Sequence, residues 1–136
     1  MMAIFVPSTR RRKNTLFAHN HERSAVEINS RQLGTITIIE VTGRMDAVTA
    51  PAFDKFFRER MTSDRLDFVI ALNRLEYISS AGLRSILMAA KQVKARNGRL
   101  LLAGLSDAVA EVFNLSGFNT IVRICENEEA ALQQLR

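Results

Sequence analysis

The chain has 136 residues, 47% of them apolar and 24% charged, which is enough for one packed core and ordinary for a single globular domain. No apolar run approaches the roughly 20 residues needed to cross a bilayer, and the single cysteine, Cys125, excludes an internal disulfide and any cysteine-based zinc cluster. The formal charge of +5 is unevenly placed: residues 1–31 hold six basic and two acidic side chains and the remainder thirteen and twelve, so the domain itself gives no electrostatic reason to bind nucleic acid directly.

Residues 1–23 read as a flexible basic arm. Pro7, Ser8, Thr9, the Arg10-Arg11-Arg12-Lys13 run and the His19-Asn20-His21 group show no apolar period. The short Ile4-Phe5-Val6 run precedes the basic cluster, the reverse of a secretory signal; with one cysteine, a cytoplasmic setting is expected. The folded domain is expected over residues 24–136. Val26 and Ile28 alternate with polar residues as in a half-buried strand, Gln32-Leu33-Gly34 can turn the chain, and residues 35–42 are rich in β-branched side chains. Together they predict a hairpin whose second strand ends at Gly43.

Thr49 and Pro51 suit a helix start, and Phe53, Phe56, Phe57 and Met61 follow at helical spacing as a core-facing stripe. The unbroken apolar run 68–72 predicts a strand covered on both sides. A long helix starts near Ser80, turns Leu83, Ile86, Leu87, Ala90 and Val93 inward, and is closed by Asn97-Gly98. Residues 100–103 predict another strand. Ser106 then caps a helix carrying Val109, Val112 and Phe113, with Gly117 after its end. Residues 121–125 form a last strand, and Asn127 caps a last helix with Ala131, Leu132 and Leu135 inward. After the opening strand, strand and helix thus alternate four times. That order predicts an α/β fold with a mixed, largely parallel sheet and packed helices.

In such folds the loops at the C-terminal ends of parallel strands carry function. Two loops stand out: Gly43-Arg44-Met45-Asp46, and Tyr77-Ile78-Ser79-Ser80-Ala81-Gly82-Leu83. If their strands are neighbours, Asp46 and Ser80 share one edge. The small residues of the second loop keep the surface low for a partner. A phosphate on Ser80 would meet the unpaired N–H groups of a helix start. It would add about −1.5 to −2 charges without melting the helix. Helix capping by Ser79 or Ser80 is the simpler reading of the same residues, and on the residues alone it is the one favoured.

The three segments Gly43-Arg44-Met45-Asp46-Ala47, Ile78-Ser79-Ser80-Ala81-Gly82-Leu83-Arg84 and Phe113-Asn114-Leu115-Ser116-Gly117-Phe118 occur in the order of the motifs of STAS domains, and the chain resembles that family over residues 26–135. The resemblance is to the anti-sigma factor antagonist type. It implies a protein-binding module that binds an anti-sigma factor acting also as a serine kinase, with a serine phosphatase resetting the cycle. The implied phosphorylation site is Ser80, with Ser79 second. The implied partner-binding residues are Arg44, Asp46, Ser79, Ser80, Ala81, Gly82, Leu83 and Arg84. Where the family commonly has aspartate before the acceptor this chain has Ser79, and where it often has glycine after the Gly-Leu pair it has Arg84. Arg84 lies four residues past Ser80, within reach of a phosphate there or of an acidic partner group.

No enzyme is expected. Both histidines lie in the arm, so a Ser-His-Asp triad has no core histidine, and no glycine-rich phosphate loop is present. Glu128-Glu129 suit a helix dipole, and Cys125 reads as a buried inert thiol. No cofactor or metal is implied, and a monomer or weak dimer is expected. A second reading within the same fold is a non-phosphorylated adaptor in a lipid-transport or stressosome-like assembly. A third is a nucleic-acid or membrane-surface protein acting through the basic arm.

Overall fold

The computed structural model describes the backbone of residues 2–8 and 13–19, and backbone and side chains of residues 25–62 and 66–136. One sheet runs through the molecule with its strands in sequence order: β1 (Met2–Ser8), β2 (Lys13–His19), β3 (Ala25–Leu33), β4 (Ile36–Met45), β5 (Asp67–Ile78), β6 (Arg99–Ala103) and β7 (Arg123–Cys125). Pairing is antiparallel from β1 to β4 and parallel from β4 to β7. Four helices alternate with the last four strands: α1 (Ala50–Arg60), α2 (Ser80–Ala95), α3 (Asp107–Ser116) and α4 (Glu128–Leu135). The expected hairpin and the four strand–helix units are all present.

Side chains alternate across each strand, so the apolar runs serve two faces. Ile39 and Val41 of β4, with Phe68, Ile70 and Leu72 of β5, face one core; Ile36, Ile38 and Val69 face another. Crossovers between neighbouring parallel strands share one hand, which puts α1, α2 and α3 on the same side. That side holds the larger core, built around Phe53, Phe56, Phe57, Phe68 and Phe113. Among the described helices, only α4, which follows the last strand, lies on the other side, where Ala131, Leu132 and Leu135 cover Ile36, Ile38, Val69 and Leu101. Arg31 on β3 pairs with Glu128 of α4, and Arg99 on β6 bridges Asp67 and the Leu135 carbonyl, fixing this helix at both ends.

Three expectations need correction. The arm was expected to lack regular structure, yet two of its segments form strands that extend the β3 edge. An uncovered strand edge offers a row of unpaired N–H and C=O groups, and short apolar stretches such as 3–6 and 16–18 complete it without any long-range period. The Arg10-Arg11-Arg12 run and His21 lie outside the described residues. Gly43 does not end β4. It sits inside the strand at φ 102°, beside a register shift, where a Cβ would lie 2.6 Å from the Ala25 carbonyl oxygen. At the end of α2 the left-handed residue is Asn97, at φ 62°. Gly98 is required instead by close approach, since its Cβ would meet the Leu66 carbonyl oxygen at 2.3 Å.

Candidate functional site

β4 and β5 are parallel neighbours that end in step, with Met45 opposite Ile78. The loops that follow them therefore lie side by side at the C-terminal edge of the sheet. The expected end of β5 at residue 72 falls short, because the strand continues through a register shift to Ile78. Its later anchors, Leu75 and Ile78, are both buried but are spaced three apart, so strict alternation misses them. The Ser79 N–H donates to the Met45 carbonyl at 2.9 Å and joins the two loops directly.

The two serines divide the work. Ser79 has extended backbone and is the N-cap of α2: its Oγ accepts from the Gly82 N–H at 3.3 Å. Ser80 is the first helical residue. Its side chain is exposed, and its hydroxyl makes no hydrogen bond to a described residue. The N–H groups of Ser80 and Ala81 precede the helical ladder and point past the end of the helix, next to that hydroxyl. Capping, which the residue types alone leave open between the two serines, falls to Ser79 and leaves Ser80 chemically free.

The β4–α1 loop is held rigid from within. The Asp46 carboxylate accepts from the N–H groups of Val48 and Thr49 at 3.0 and 3.1 Å. Thr49 occupies the N-cap position of α1 but makes no side-chain cap. Its buried hydroxyl donates to the Arg44 carbonyl and accepts from the Asp46 N–H, both at 2.9 Å. Asp46 thus shapes the loop beside Ser80. Arg44 lies over the Tyr77 ring, 4.2 Å from its centroid, directly across from it in register.

Of the residues expected to meet a partner, Ser80 and Arg84 are exposed, and Arg44, Asp46, Ser79 and Ala81 are half-buried. Gly82 and Leu83 are buried and turn inward, so they contribute packing rather than surface. The glycine is dictated by the approach of α2 to β4: a Cβ there would lie 2.7 Å from the Met45 carbonyl oxygen and 2.8 Å from Ile78 Cγ1. Two residues outside the expected partner-binding set complete the edge. Tyr77, near the end of β5, and Val48, in the β4–α1 loop, are large apolar side chains left 41% and 39% exposed. Exposure is a property of the assembled edge, and neither residue type nor spacing announces it.

The model of the STAS domain family matches residues 27–131, most of the chain. The chain belongs to the STAS domain family. An anti-sigma-B factor antagonist of Listeria monocytogenes is 31% identical over 100 residues, covering 74% of this chain and 87% of that protein. BtrV of Bordetella bronchiseptica, named as a candidate anti-sigma factor antagonist, is 49% identical over 63 residues, covering 46% of this chain and 54% of BtrV. Among solved structures, an anti-sigma factor antagonist of Mycobacterium paratuberculosis superposes with a TM-score of 0.74 at 19% identity, covering 80% of this chain and 92% of that one. The phosphorylated form of the Bacillus protein SpoIIAA gives 0.63 at 19% identity, covering 80% and 99%. At such identity the likeness shows the fold, and the expected mixed α/β sheet with packed helices is the STAS fold.

For a STAS domain built this way, Gly82→Ala is expected to destabilise the fold by about 1–3 kcal/mol, because backbone and a buried side chain oppose the added methyl. Urea unfolding measures it. A change below about 0.5 kcal/mol, as at an ordinary surface site, would mean that α2 can move off β4.

Proposed function

We propose that this STAS domain is an anti-sigma factor antagonist whose C-terminal sheet edge binds an anti-sigma factor that is also a serine kinase, and that phosphorylation of Ser80 ends the contact. The observation that carries the reading is the free, exposed Ser80 hydroxyl at the first residue of α2, with the cap already supplied by Ser79. The family membership and the names of the relatives support it, as does the existence of SpoIIAA in both unphosphorylated and phosphorylated forms.

The chemistry asked of this chain is presentation rather than catalysis. The kinase transfers the γ-phosphoryl group of ATP to Ser80 Oγ, releasing ADP and a proton, and a phosphatase removes it by hydrolysis. At the helix start the new charge meets the N–H groups of Ser80 and Ala81, a favourable placement worth about 0.3–1 kcal/mol. In a closed interface the same charge must be desolvated, at a cost of several kcal/mol when unpaired. The fold therefore tolerates the phosphate and the complex does not. On this reading the exposed Tyr77 and Val48 and the Arg44 that lies over Tyr77, on the same sheet edge, add contact surface for the partner.

Mixing the chain with an anti-sigma factor–sigma factor complex from the same cells tests the reading by size-exclusion chromatography. Free sigma factor and a new complex of this chain with the anti-sigma factor are expected. An unchanged elution profile with every such complex of those cells would overturn the assignment.

A further inference from the structure

We propose that the groove between α1 and α2 is a second docking site for the same anti-sigma factor, taking an acidic segment of that protein with an apolar residue set against Met88. The identity of the partner rests on the function proposed above; the chemistry of the segment comes from the groove itself. A cleft of about 220 Å³ lies between the two helices, floored by the buried Phe53, Phe57 and Ala89. It continues into a shallower hollow past Met61, and Arg58 and Gln92 line both.

Arg58 from α1, Arg84 from α2 and Arg96, the residue just after α2, line this groove, and all three are exposed. None forms an ion pair with a described residue, whereas Arg31, Arg60 and Arg99 elsewhere on the surface each reach a carboxylate. Asp54 is the single acid among the described lining residues, so those residues carry an excess of two positive charges. A concave, phenyl-floored channel lined by one sign of charge concentrates its field and attracts the opposite sign. Guanidinium groups bind carboxylates in paired hydrogen bonds, which favours aspartate and glutamate side chains. Met88 is 46% exposed, an adaptable apolar anchor between Arg84 and Gln92.

The groove is continuous with the phosphorylation site. Ser80, Arg84, Met88 and Gln92 recur every fourth residue and share one face of α2, a stripe about 18 Å long. A protein seated over Ser80 reaches the groove without leaving that helix. Nucleic acid fits less well, because no aromatic ring among the described lining residues is exposed to stack on a base. Phosphorylation also acts on this second contact. A phosphate on Ser80 stands one turn from Arg84, competes for it, and repels an acidic segment.

The test places the photo-cross-linker benzoylphenylalanine at Met88 in the full chain and, separately, at Tyr77, with irradiation in the native cells. Both positions are expected to capture the anti-sigma factor, and the peptide joined at position 88 is expected to be rich in Asp and Glu. With the purified partner, the Arg58→Glu/Arg96→Glu variant is expected to bind at least ten-fold more weakly, with a shallower salt dependence and unchanged circular dichroism. If position 77 captures the anti-sigma factor while position 88 captures nothing, a basic segment, nucleic acid or a second copy of this chain, the groove is not the second site and the function proposed above stands. An unchanged affinity of the double variant likewise overturns the groove. If neither position captures an anti-sigma factor, the functional reading itself fails and takes the groove with it.

Discussion

Ser80→Asp is expected to weaken binding of the anti-sigma factor at least ten-fold while leaving stability within about 0.5 kcal/mol of the parent chain. The two halves of that result have separate causes. On the free domain the residue is exposed, and a carboxylate at the first helical position is mildly favoured by the helix dipole. In the complex, an unpaired buried charge costs about 2–5 kcal/mol, and each 1.4 kcal/mol is a factor of ten. Titration calorimetry with the purified anti-sigma factor and urea unfolding of the variant measure the two halves independently. Ser79→Ala supplies the contrast. It removes the cap on the Gly82 N–H and is expected to cost about 1 kcal/mol of stability. Equal binding by Ser80→Asp and the parent would place the serine outside the interface.

Phe57→Ala is expected to be the most damaging single truncation in the larger core, at about 3–5 kcal/mol. The ring is 1% exposed and packs with its centroid 4.8 Å from Phe68 of β5 and 6.0 Å from Phe53. Its removal opens a void between α1 and the sheet that the neighbouring rings cannot close. Total stabilities of about 5–15 kcal/mol leave little after such a loss, so a strongly lowered melting temperature is the expected readout. Leu115, 82% exposed at the end of α3, is the control: Leu115→Ala should change stability by less than about 0.5 kcal/mol. A similar effect of both substitutions would mean that the phenylalanine cluster does not carry the core.

Much of this architecture is legible in the residue order, for identifiable reasons. The Phe53, Phe56 and Phe57 stripe, the 68–72 run and the caps Ser106 and Asn127 are local signals, and each performs in the structure the role its pattern implies. Three sequence segments also suffice to suggest the family. Features that depend on another element are not legible. The pairing of residues 2–8 and 13–19 needs the free β3 edge. The extension of β5 to Ile78 needs a register shift against β4. Gly82 looks like a surface glycine until α2 is seen lying against Met45. The division between Ser79 and Ser80 is a matter of one helical position, which fixes which hydroxyl turns back to the chain and which stays in solvent. Tyr77 and Val48 become contact candidates only once the fold leaves them uncovered.

Cys125 illustrates the converse. Its thiol is buried beneath α4, and burial holds its pKa above the ordinary thiol value, which disfavours the reactive thiolate at neutral pH. The proposed function rests on the Ser80 hydroxyl instead. Intact-mass spectrometry of the chain recovered from its native cells, beside a Ser80→Ala variant expressed in the same cells, addresses that hydroxyl directly. A single phosphate adduct on the native chain that disappears in the variant is the predicted result. An unmodified mass in every growth state, or an adduct that persists in Ser80→Ala, would contradict it.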